Sequence, residues 1–356
     1  MKICHVNLAR GFSGSERQTL LLIKQQLREG MKLIVVARQN SPFAREVEKL
    51  PCQLINTRHW FTNHKTNLRK LCDLIHVHEG QAVYWALIQN LLYGCPYIIT
   101  RRIDKPLKNK YFSNLAYQRA KALVGLSSEI IKVMQACHPA KKCVKIPSSP
   151  INYPVNQNKV DQIWSAHGYK FLIIQAGNLL KQKGFDVTLE AARLIQENSQ
   201  ENAQEQASSV HFLLLGNGPE KEALSKKAQG LDNVSFMGKQ DDMGTWFASA
   251  NLLIHPSFSE GLGSVILEAM AAGLPVIGSR VGGIPDIIED EYSGLLIEAG
   301  DAEALAKAIR RIAGSESLRK QLQVGAREKL KDFDINYTTK LYIQLYEDLV
   351  GKPITE

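Results

Sequence analysis

The sequence predicts an α/β protein with two doubly wound parallel sheets, and three observations lead to this prediction. With 356 residues, the chain exceeds what one ordinary hydrophobic core needs. Short apolar runs alternate with segments of helical periodicity, which is typical of βαβ units in a parallel sheet. The alternation pauses at residues 147–158, a polar segment with three prolines, and then resumes. We therefore expect two Rossmann-like domains, residues 1–152 and residues 153–332, followed by a helix within residues 333–356.

The expected strands are the apolar runs, and the expected helices lie between them. The runs are residues 2–8, 32–37, 73–77, 96–100 and 122–126 in the first domain, and residues 170–176, 210–215, 234–236, 251–255, 275–278 and 294–297 in the second. Residues 16–29 carry a helical stripe of apolar side chains between the first two strands. Residues 197–209 are polar and of low complexity, so we expect a mobile loop there.

The last segment, residues 333–349, predicts an amphipathic helix that docks on an apolar surface. Its stripe follows a four-residue spacing and consists of Tyr337, Leu341, Leu345 and Leu349, flanked by Tyr342 and Tyr346. Periodicity leaves open whether this helix packs on the second domain or crosses back to the first.

The composition indicates an ordinary globular protein of the cytoplasm. Hydrophobic residues make up 44% of the chain and charged residues 22%, and no apolar run approaches the roughly 20 residues that span a bilayer. The first residues lack the apolar core and the cleavage site of a signal peptide, so we expect a cytoplasmic protein. The six cysteines form no CxxC pair, which favours buried free thiols over disulfides or a metal site.

The two halves of the chain differ strongly in charge. Residues 1–152 contain 24 Lys and Arg and 8 Asp and Glu, a net charge of +16, whereas residues 153–356 carry a net charge of −7. The first half is therefore expected to meet an anionic partner, which is a phosphorylated acceptor, an anionic membrane surface or nucleic acid. A generic solvated surface is the alternative.

The densest candidate site lies in residues 257–285, where a glycine-rich turn follows a strand and precedes a helix predicted over residues 264–272. The free amides at the start of that helix, and its dipole, favour an anion. Glu260 precedes the helix and Glu268 lies one turn inside it, so two carboxylates that accept hydrogen bonds flank the anion site. Such a pair suits the paired hydroxyls of a ribose or a hexose. The alternative is an ordinary turn with two surface glutamates.

Two further turns follow predicted strands. Residues 176–184 place Lys181 and Lys183 within reach of a diphosphate, although solvated loop lysines are the alternative. Residues 215–219 contain Gly216 in a GxG pattern that is weak evidence alone. All three turns lie at the carboxyl ends of strands, where open α/β sheets bind ligands.

Several segments in the same order resemble the retaining glycosyltransferases of family 4, which have the GT-B fold. The run EGLGSVILEAMAAGLPVI is similar to the E-x7-E signature of that family, and GNLLKQKG is similar to its phosphate-binding segment. VSFMGK, which contains Gly238, resembles the stretch beside the nucleotide base, and GGIPDIIEDEYSGLLIEAGD resembles the segment that follows the signature. GSERQTLLL resembles the glycine-rich loop at the cleft between the two facing domains. The resemblance covers nearly the whole chain and is strongest from about residue 170 to residue 310.

The resemblance implies a role for each matching residue. Glu268 would hold the ribose hydroxyls, Glu260 the hydroxyls of the transferred sugar, and Lys183 the diphosphate. The full set of implied donor-binding residues is Gly14, Asn178, Lys183, Gly216, Gly238, Glu260, Gly261, Leu262, Gly263, Ser264, Val265 and Glu268. The implied reaction is a front-face substitution in which the leaving phosphate accepts the proton of the acceptor, so no protein nucleophile, cofactor or metal is required. The nucleotide sugar is a substrate, and UDP is the favoured nucleotide.

Two positions depart from the family pattern. Asn178 stands where an arginine often binds phosphate, which leaves more of that work to Lys183. The chain reads TRR where the family often has T-x-H, so Arg102 replaces a histidine. An arginine binds phosphate or carboxylate bidentately but cannot act as a base. We therefore expect Arg101 and Arg102 to contact an anionic acceptor or the donor phosphates. We assign Arg101, Arg102, Glu16 and Arg17 to acceptor binding, and we count Arg102 with Glu260 and Lys183 as catalytic.

Two other features of the first half allow more than one interpretation. His76 and His78 form an HxH pattern at a strand end, which indicates either a metal pair or, preferably, hydrogen-bonded histidines. Residues 58–70 interleave basic side chains with Trp60 and Phe61, which suits an anionic membrane surface or an acceptor-side loop. Nothing in this segment resembles a nucleic-acid-binding motif.

The sequence thus predicts a retaining glycosyltransferase that acts on an anionic acceptor, such as a lipopolysaccharide core or another lipid-linked glycan. A glycosidase with Glu260 and Glu268 as its carboxylate pair is less suitable, because such pairs flank the scissile bond rather than an anion site. A non-catalytic two-domain protein that binds sugars or nucleotides is the remaining alternative.

Overall fold

The computed structural model describes residues 1–105, 111–168, 170–201 and 210–351. Contacts divide the chain into two compact units, Met1–Ser149 with Asp332–Glu356, and Pro150–Lys331. Within the described ranges, we find no helix with the length and hydrophobicity that spanning a bilayer demands.

In its described residues, the first unit contains a sheet of seven parallel strands in the order β3-β2-β1-β4-β5-β6-β7. The strands are β1 (Lys2–Asn7), β2 (Lys32–Arg38), β3 (Gln53–Thr57), β4 (Leu74–Val77), β5 (Tyr97–Arg101), β6 (Ala122–Gly125) and β7 (Cys143–Lys145). Its helices before the second unit are α1 (Gly14–Arg28), α2 (Pro42–Val47), α3 (Gly80–Tyr93), α4 (Tyr111–Arg119) and α5 (Ser128–Cys137). The inner strands β1, β4, β5 and β6 are buried on both faces, as expected in a doubly wound sheet, which has helices on both sides.

The second unit contains, in its described residues, a sheet of six parallel strands in the order β10-β9-β8-β11-β12-β13. The strands are β8 (Phe171–Ala176), β9 (Val210–Leu215), β10 (Val234–Gly238), β11 (Leu252–His255), β12 (Val276–Ser279) and β13 (Leu295–Ile297). The helices are α6 (Gln157–Ala166), α7 (Phe185–Glu201), α8 (Lys221–Lys227), α9 (Met243–Ser249), α10 (Ser264–Ala271), α11 (Ile284–Ile287), α12 (Ala302–Gly314) and α13 (Glu316–Leu330). The predicted fold class of two parallel-sheet Rossmann-like domains is confirmed.

The last helix, α14 (Ile335–Val350), packs on α1 in the first unit, which is one of the two possibilities the sequence left open. Its Tyr342, Leu345 and Tyr346 enter the core of that unit. The predicted stripe is wrong at its first position, since Tyr337 is 49% exposed. A true helix advances 3.6 residues per turn, so a strict four-residue spacing rotates away from the buried face.

Three other expectations need correction. The sequence did not predict β3 and β7, because these edge strands are short and only half-buried and lack a continuous apolar run. The start of the predicted loop at residues 197–209 is helical, since α7 continues to Glu201, and residues 202–209 lie outside the described residues. The cysteines are free, but Cys137 is exposed rather than buried.

Candidate functional site

The topology of the second sheet places two of the predicted turns side by side. Strand β8 has β9 on one side and β11 on the other, so the strand order reverses at β8. Doubly wound sheets bind ligands in the crevice outside the carboxyl ends of the strands at such a reversal, which here is where the loops after β8 and β11 begin. The first loop contains Lys183 and the second contains Glu260, which the sequence placed in separate motifs.

Backbone hydrogen bonds tie these loops to one another. The amide of Phe258 donates to the carbonyl of Gln182 over 2.9 Å, which joins the β8 and β11 loops. The amide of Gly283 donates to the carbonyl of Glu260 over 2.9 Å, which joins the β11 loop to the segment after β12. Because these contacts use the main chain, they fix the path of the loops independently of the side chains that the loops present.

One glycine makes the close approach of the first two loops possible. Gly184 has a φ of +67°, and a Cβ atom built on it would lie 1.8 Å from the carbonyl oxygen of Pro256. A side chain at this position would both strain the backbone and push the β11 loop away. Gly184, which ends the KQKG turn, is therefore required for the packing of the two loops and not only for the approach of a phosphate.

The pKa of the Glu260 carboxyl in the crevice is strongly lowered. Its Oε2 accepts a hydrogen bond from His255 Nε2 over 2.8 Å and forms an ion pair with Lys183 Nζ. Burial raises the pKa of this carboxyl, but the hydrogen bond and charge of His255 and the charge of Lys183 outweigh it, and the pKa falls to about 2. Glu260 is therefore ionised at neutral pH and acts as a hydrogen-bond acceptor.

His255, at the end of β11, holds this carboxylate in place. The same Nε2 atom that contacts Glu260 also lies 3.1 Å from the hydroxyl of Ser257. In a nucleophilic triad, the serine and the acid occupy different nitrogens of the histidine ring. The shared nitrogen therefore makes the trio a support for Glu260 and not an activated serine. His255 was not among the predicted site residues, and its position at a strand end was the only signal for it in the sequence.

Lys183 is held through its backbone as well as its side chain. Its carbonyl accepts a hydrogen bond from Gln175 Nε2 over 2.8 Å, and Gln175 Oε1 accepts one from the Thr188 hydroxyl over 2.6 Å. Both supporting side chains are buried. The lysine therefore projects from a fixed turn, which is a geometry suited to contact with a phosphate group.

Helix α10 begins directly after the loop that contains Glu260. Gly263 occupies the N-cap with a φ of +95°, and Leu262 before it is buried. Ser264 and Val265, the first two helical residues, are partly exposed, so their surroundings leave room for a ligand near the helix start. Glu268, one turn further, is buried.

The remaining predicted donor residues of the second unit lie along the same edge of the sheet. Asn178 is exposed in the turn after β8. Gly216 follows β9, and its amide donates to the carbonyl of Gly238 over 2.8 Å, so these two glycines are adjacent at the ends of β9 and β10. Gly261 is buried between Glu260 and the start of α10.

The other predicted site residues belong to the first unit. Gly14 is exposed as the first residue of α1. Glu16 is buried, and its carboxylate accepts hydrogen bonds from the amide and the hydroxyl of Ser13, over 2.8 and 2.7 Å. The guanidinium of Arg17 lies 5.8 Å from the centre of the Phe12 ring. Glu16 thus caps the helix in this structure, and its predicted contact with an acceptor stays a prediction.

The two arginines after β5 differ in their surroundings. Arg101 is buried and donates to the hydroxyl of Tyr117 over 3.3 Å and to the carbonyl of Lys105. Arg102 donates to the hydroxyl of Ser148 over 3.1 Å, and burial lowers its pKa from the ordinary arginine value. Arg101 therefore uses two of its donors for hydrogen bonds inside the unit, and Arg102 is the better candidate for contact with an anion.

The predicted histidine pair is part of a buried trio. His5 on β1 is the register partner of His76 on β4, and His78 follows two residues later on the same face. His5 Nδ1 and His78 Nε2 are 2.8 Å apart, while His76 makes hydrogen bonds with the hydroxyls of Tyr346 and Thr100, each over 2.7 Å. The potential metal-binding atoms of the trio lie within 4.8 Å of one another. Both nitrogens of His76 are hydrogen-bonded, which supports the preferred interpretation of a satisfied histidine at this position, whereas Nδ1 of His78 is buried without a hydrogen-bond partner.

Comparison with known proteins places these features in a family context. Residues 156–329 match the family described as glycosyl transferases group 1. A lipopolysaccharide core biosynthesis glycosyltransferase, LpsE of Rhizobium meliloti, is 35% identical over 187 residues, which are 51% of this chain and 50% of that protein. The uncharacterized glycosyltransferase MJ1178 of Methanocaldococcus jannaschii is 28% identical over 293 residues, 78% of this chain and 76% of that protein. The match thus spans about half the length of the first of these relatives.

Solved structures match nearly the entire chain. A glycosyltransferase from Rickettsia africae superposes with a TM-score of 0.82 at 18% identity and covers 99% of both chains. Anabaena HepE, solved in complex with UDP and glucose, superposes with a TM-score of 0.78 at 19% identity and covers 98% of this chain and 100% of that one. At these identities the likeness establishes the fold, and the GT-B class predicted from the sequence is confirmed.

Proposed function

We propose that this protein is a retaining, metal-independent glycosyltransferase, because residues 156–329 match the family described as glycosyl transferases group 1 and the chain has the GT-B fold. It moves a sugar from a nucleotide donor, with UDP as the favoured nucleotide, to an anionic acceptor. The observation that carries this proposal is the meeting of Lys183, Glu260 and the start of α10 at the strand-order reversal of the second sheet.

These residues divide the work of holding the donor. Lys183 and the amides at the start of α10 stabilise the negative charge that develops on the leaving diphosphate. Glu260, ionised with a pKa of about 2, accepts hydrogen bonds from the hydroxyls of the transferred sugar, and Glu268 accepts those of the ribose. A carboxyl with so low a pKa cannot serve as the general acid of a glycosidase at neutral pH, which disfavours that alternative.

The proposed reaction needs no further group from the protein. The bond between the anomeric carbon and the phosphate oxygen breaks, and the acceptor oxygen forms its bond to that carbon on the same face of the sugar. The proton of the acceptor hydroxyl passes to the departing phosphate oxygen. The protein contributes position and charge, which can supply most of the rate enhancement in such transfers.

The proposed acceptor is an anionic saccharide, such as a lipopolysaccharide core. The net charge of +16 on residues 1–152 favours an anionic ligand on this half, and Arg102 is its most suitable single contact. Two similar proteins of Rhizobium meliloti, LpsE and LpsD, carry lipopolysaccharide core biosynthesis in their names. An acceptor of this kind places the enzyme in the cytoplasm, at the inner membrane.

Peripheral contact with that membrane is part of the proposal and has a candidate surface. The outer side of α3 presents Leu91 and Leu92, both more than half exposed, and Trp60 and Phe61 are exposed in the loop before it. Trp60 packs against Tyr84 of α3, with ring centres 5.7 Å apart. Exposed basic side chains accompany these residues in the same loop, namely Arg58, Lys65, Arg69 and Lys70. Apolar side chains with basic neighbours suit an anionic bilayer surface.

Sedimentation with lipid vesicles tests this surface. The protein is expected to bind vesicles that contain phosphatidylglycerol and not vesicles of phosphatidylcholine alone, and binding should weaken as salt increases. The double variant Trp60→Ser/Phe61→Ser should bind several-fold more weakly. Tyr337→Ser, which removes an exposed aromatic residue from α14, serves as the control. Equal binding by all three proteins would exclude this surface as the contact.

A panel of nucleotide sugars tests the activity itself. We expect one donor, most readily a UDP-sugar, to raise the melting temperature and to release its nucleotide in the presence of an anionic glycan acceptor. Glu268→Ala should weaken donor binding by about 10-fold or more, because two hydroxyl contacts to its side chain are lost. Indifference to every nucleotide sugar would contradict the proposal. Binding without any turnover would favour the non-catalytic sugar- or nucleotide-binding protein instead.

A further inference from the structure

The ion pair between Lys183 and Glu260 places a cation and an anion of the proposed donor site in direct contact. Both side chains are largely buried, with 19% and 15% of their surfaces exposed. The carboxylate is also fixed by His255, so it cannot swing away when Lys183 finds another partner. Lys183 is therefore not a free cation that waits for phosphate, because a carboxylate of the same chain already neutralises it.

Any diphosphate that contacts Lys183 must share this ammonium group with Glu260 or replace Glu260 on it. The ammonium group is a compact charge with three donors, and a partly buried site limits how many anions can surround it. If Glu260 loses Lys183, its carboxylate keeps only the hydrogen bond from His255 and lies close to two phosphate groups. That state is costly in a partly desolvated site unless other donors reach the carboxylate.

The two nucleotides of the proposed reaction differ in whether they bring those donors. A nucleotide sugar presents hydroxyls that can hydrogen-bond to Glu260 and restore what the carboxylate loses. A nucleoside diphosphate presents the same phosphates but no sugar hydroxyls. Separating Glu260 from Lys183 therefore lowers mainly the affinity for the nucleoside diphosphate, which is the product.

We infer that Glu260, held by His255, is a specificity-determining residue that competes with the diphosphate for Lys183 and thereby favours the nucleotide sugar over the nucleoside diphosphate product. This inference rests on the proposed function. It gives the carboxylate a second task, which is to weaken product retention, in addition to its contact with the sugar.

Isothermal titration with UDP and UDP-glucose, or with the nucleotide pair that the donor panel selects, tests this inference. The variant Glu260→Gln keeps the size of the side chain and removes its charge. We expect it to bind UDP about 10-fold more tightly than the unmodified protein, while UDP-glucose binds no more tightly. Inhibition of transfer by added UDP should become stronger in the same variant.

A double-mutant cycle separates competition for Lys183 from a general charge effect. In the Lys183→Met background, Glu260→Gln should change the affinity for UDP less than about 2-fold, since there is no ammonium group to compete for. The double variant leaves neither partner as an unpaired charge, so it guards against loss of folding. Asp186→Asn removes one negative charge near the same turn and serves as a matched control, with an expected change below about 3-fold.

Three outcomes would overturn the inference. The first is a Glu260→Gln variant that binds UDP equally or more weakly than the unmodified protein. The second is a gain that persists in the Lys183→Met background or is matched by Asp186→Asn. The third is an unmodified protein that binds neither a nucleoside diphosphate (UDP, ADP or GDP) nor any nucleotide sugar. This outcome would also remove the proposed function, whereas the first two would leave it intact.

Discussion

Replacing Gly282 with alanine is expected to reduce the turnover number of sugar transfer by about 100-fold or more and to destabilise the protein by about 2–4 kcal/mol. Gly282 has a φ of +55°, and a Cβ atom there would lie 1.9 Å from the carbonyl oxygen of Glu260. The new methyl group would therefore push the peptide that carries the key carboxylate. Steady-state kinetics and urea unfolding of the purified variant measure both effects.

Gly273→Ala is the matched control for this substitution. Gly273 also has a positive φ, +84°, but a Cβ atom there would meet nothing within 4 Å. Its replacement should cost about 1–2 kcal/mol of backbone strain and leave the turnover number nearly unchanged. If both variants kept full activity, the contact between Gly282 and the Glu260 peptide would not control the position of the carboxylate.

The sequence predicted the strands of the second unit well because most of them are continuous apolar runs that the structure buries, and the partly buried edge strand β10 still carries Val234, Phe236 and Met237. All six predicted runs coincide with β8 to β13 to within about two residues at each end. The same approach failed for β3 and β7, whose edge positions leave their side chains half-exposed and remove the apolar signal. A continuous run of apolar residues, and not strand formation itself, is what identifies a strand in a sequence.

The sequence predicted the candidate site as separate motifs. It did not predict the contacts that join these motifs. Spacing along the chain brought Glu260 and Glu268 together, because both lie on one short segment. The pairing of Glu260 with Lys183, 77 residues away, follows from the adjacency of β8 and β11, which spacing does not encode. His255 was overlooked for the same reason, since its role depends on where its Nε2 atom points and not on its neighbours in sequence.

The histidine trio of the first unit leads to the second large expected effect, a loss of stability in acid. Burial lowers the pKa of His5 from its ordinary value of 6.5 to about 4. Burial, followed by the charges of neighbouring histidines and of Arg102, lowers the pKa values of His76 and His78 well below that ordinary value. Each of these histidines therefore remains neutral in the folded protein at a pH at which it is already protonated in the unfolded chain.

The sign of the effect follows from proton binding. Below pH 6.5 the unfolded chain binds protons at these histidines while the folded protein does not, so the free energy of unfolding falls as the pH falls. For His5 alone, the change between pH 7 and pH 4 corresponds to about 3 kcal/mol, and His76 and His78 act in the same direction. Urea unfolding between pH 7.5 and pH 4.5 should therefore show a steep decline that begins near pH 6.5.

Two variants distinguish titration of the trio from simple loss of packing. His78→Gln removes one buried titrating group, so its free energy of unfolding should decline less steeply with falling pH than that of the unmodified protein. Tyr346→Phe removes the hydroxyl that bonds to His76 Nδ1 and should lower the free energy of unfolding by about 1–3 kcal/mol at every pH, with an unchanged slope. Parallel curves for His78→Gln and the unmodified protein would show that other groups cause the acid sensitivity. A shallower curve for His78→Gln alone would mean that β1, β4 and α14 are joined by histidines that must remain neutral.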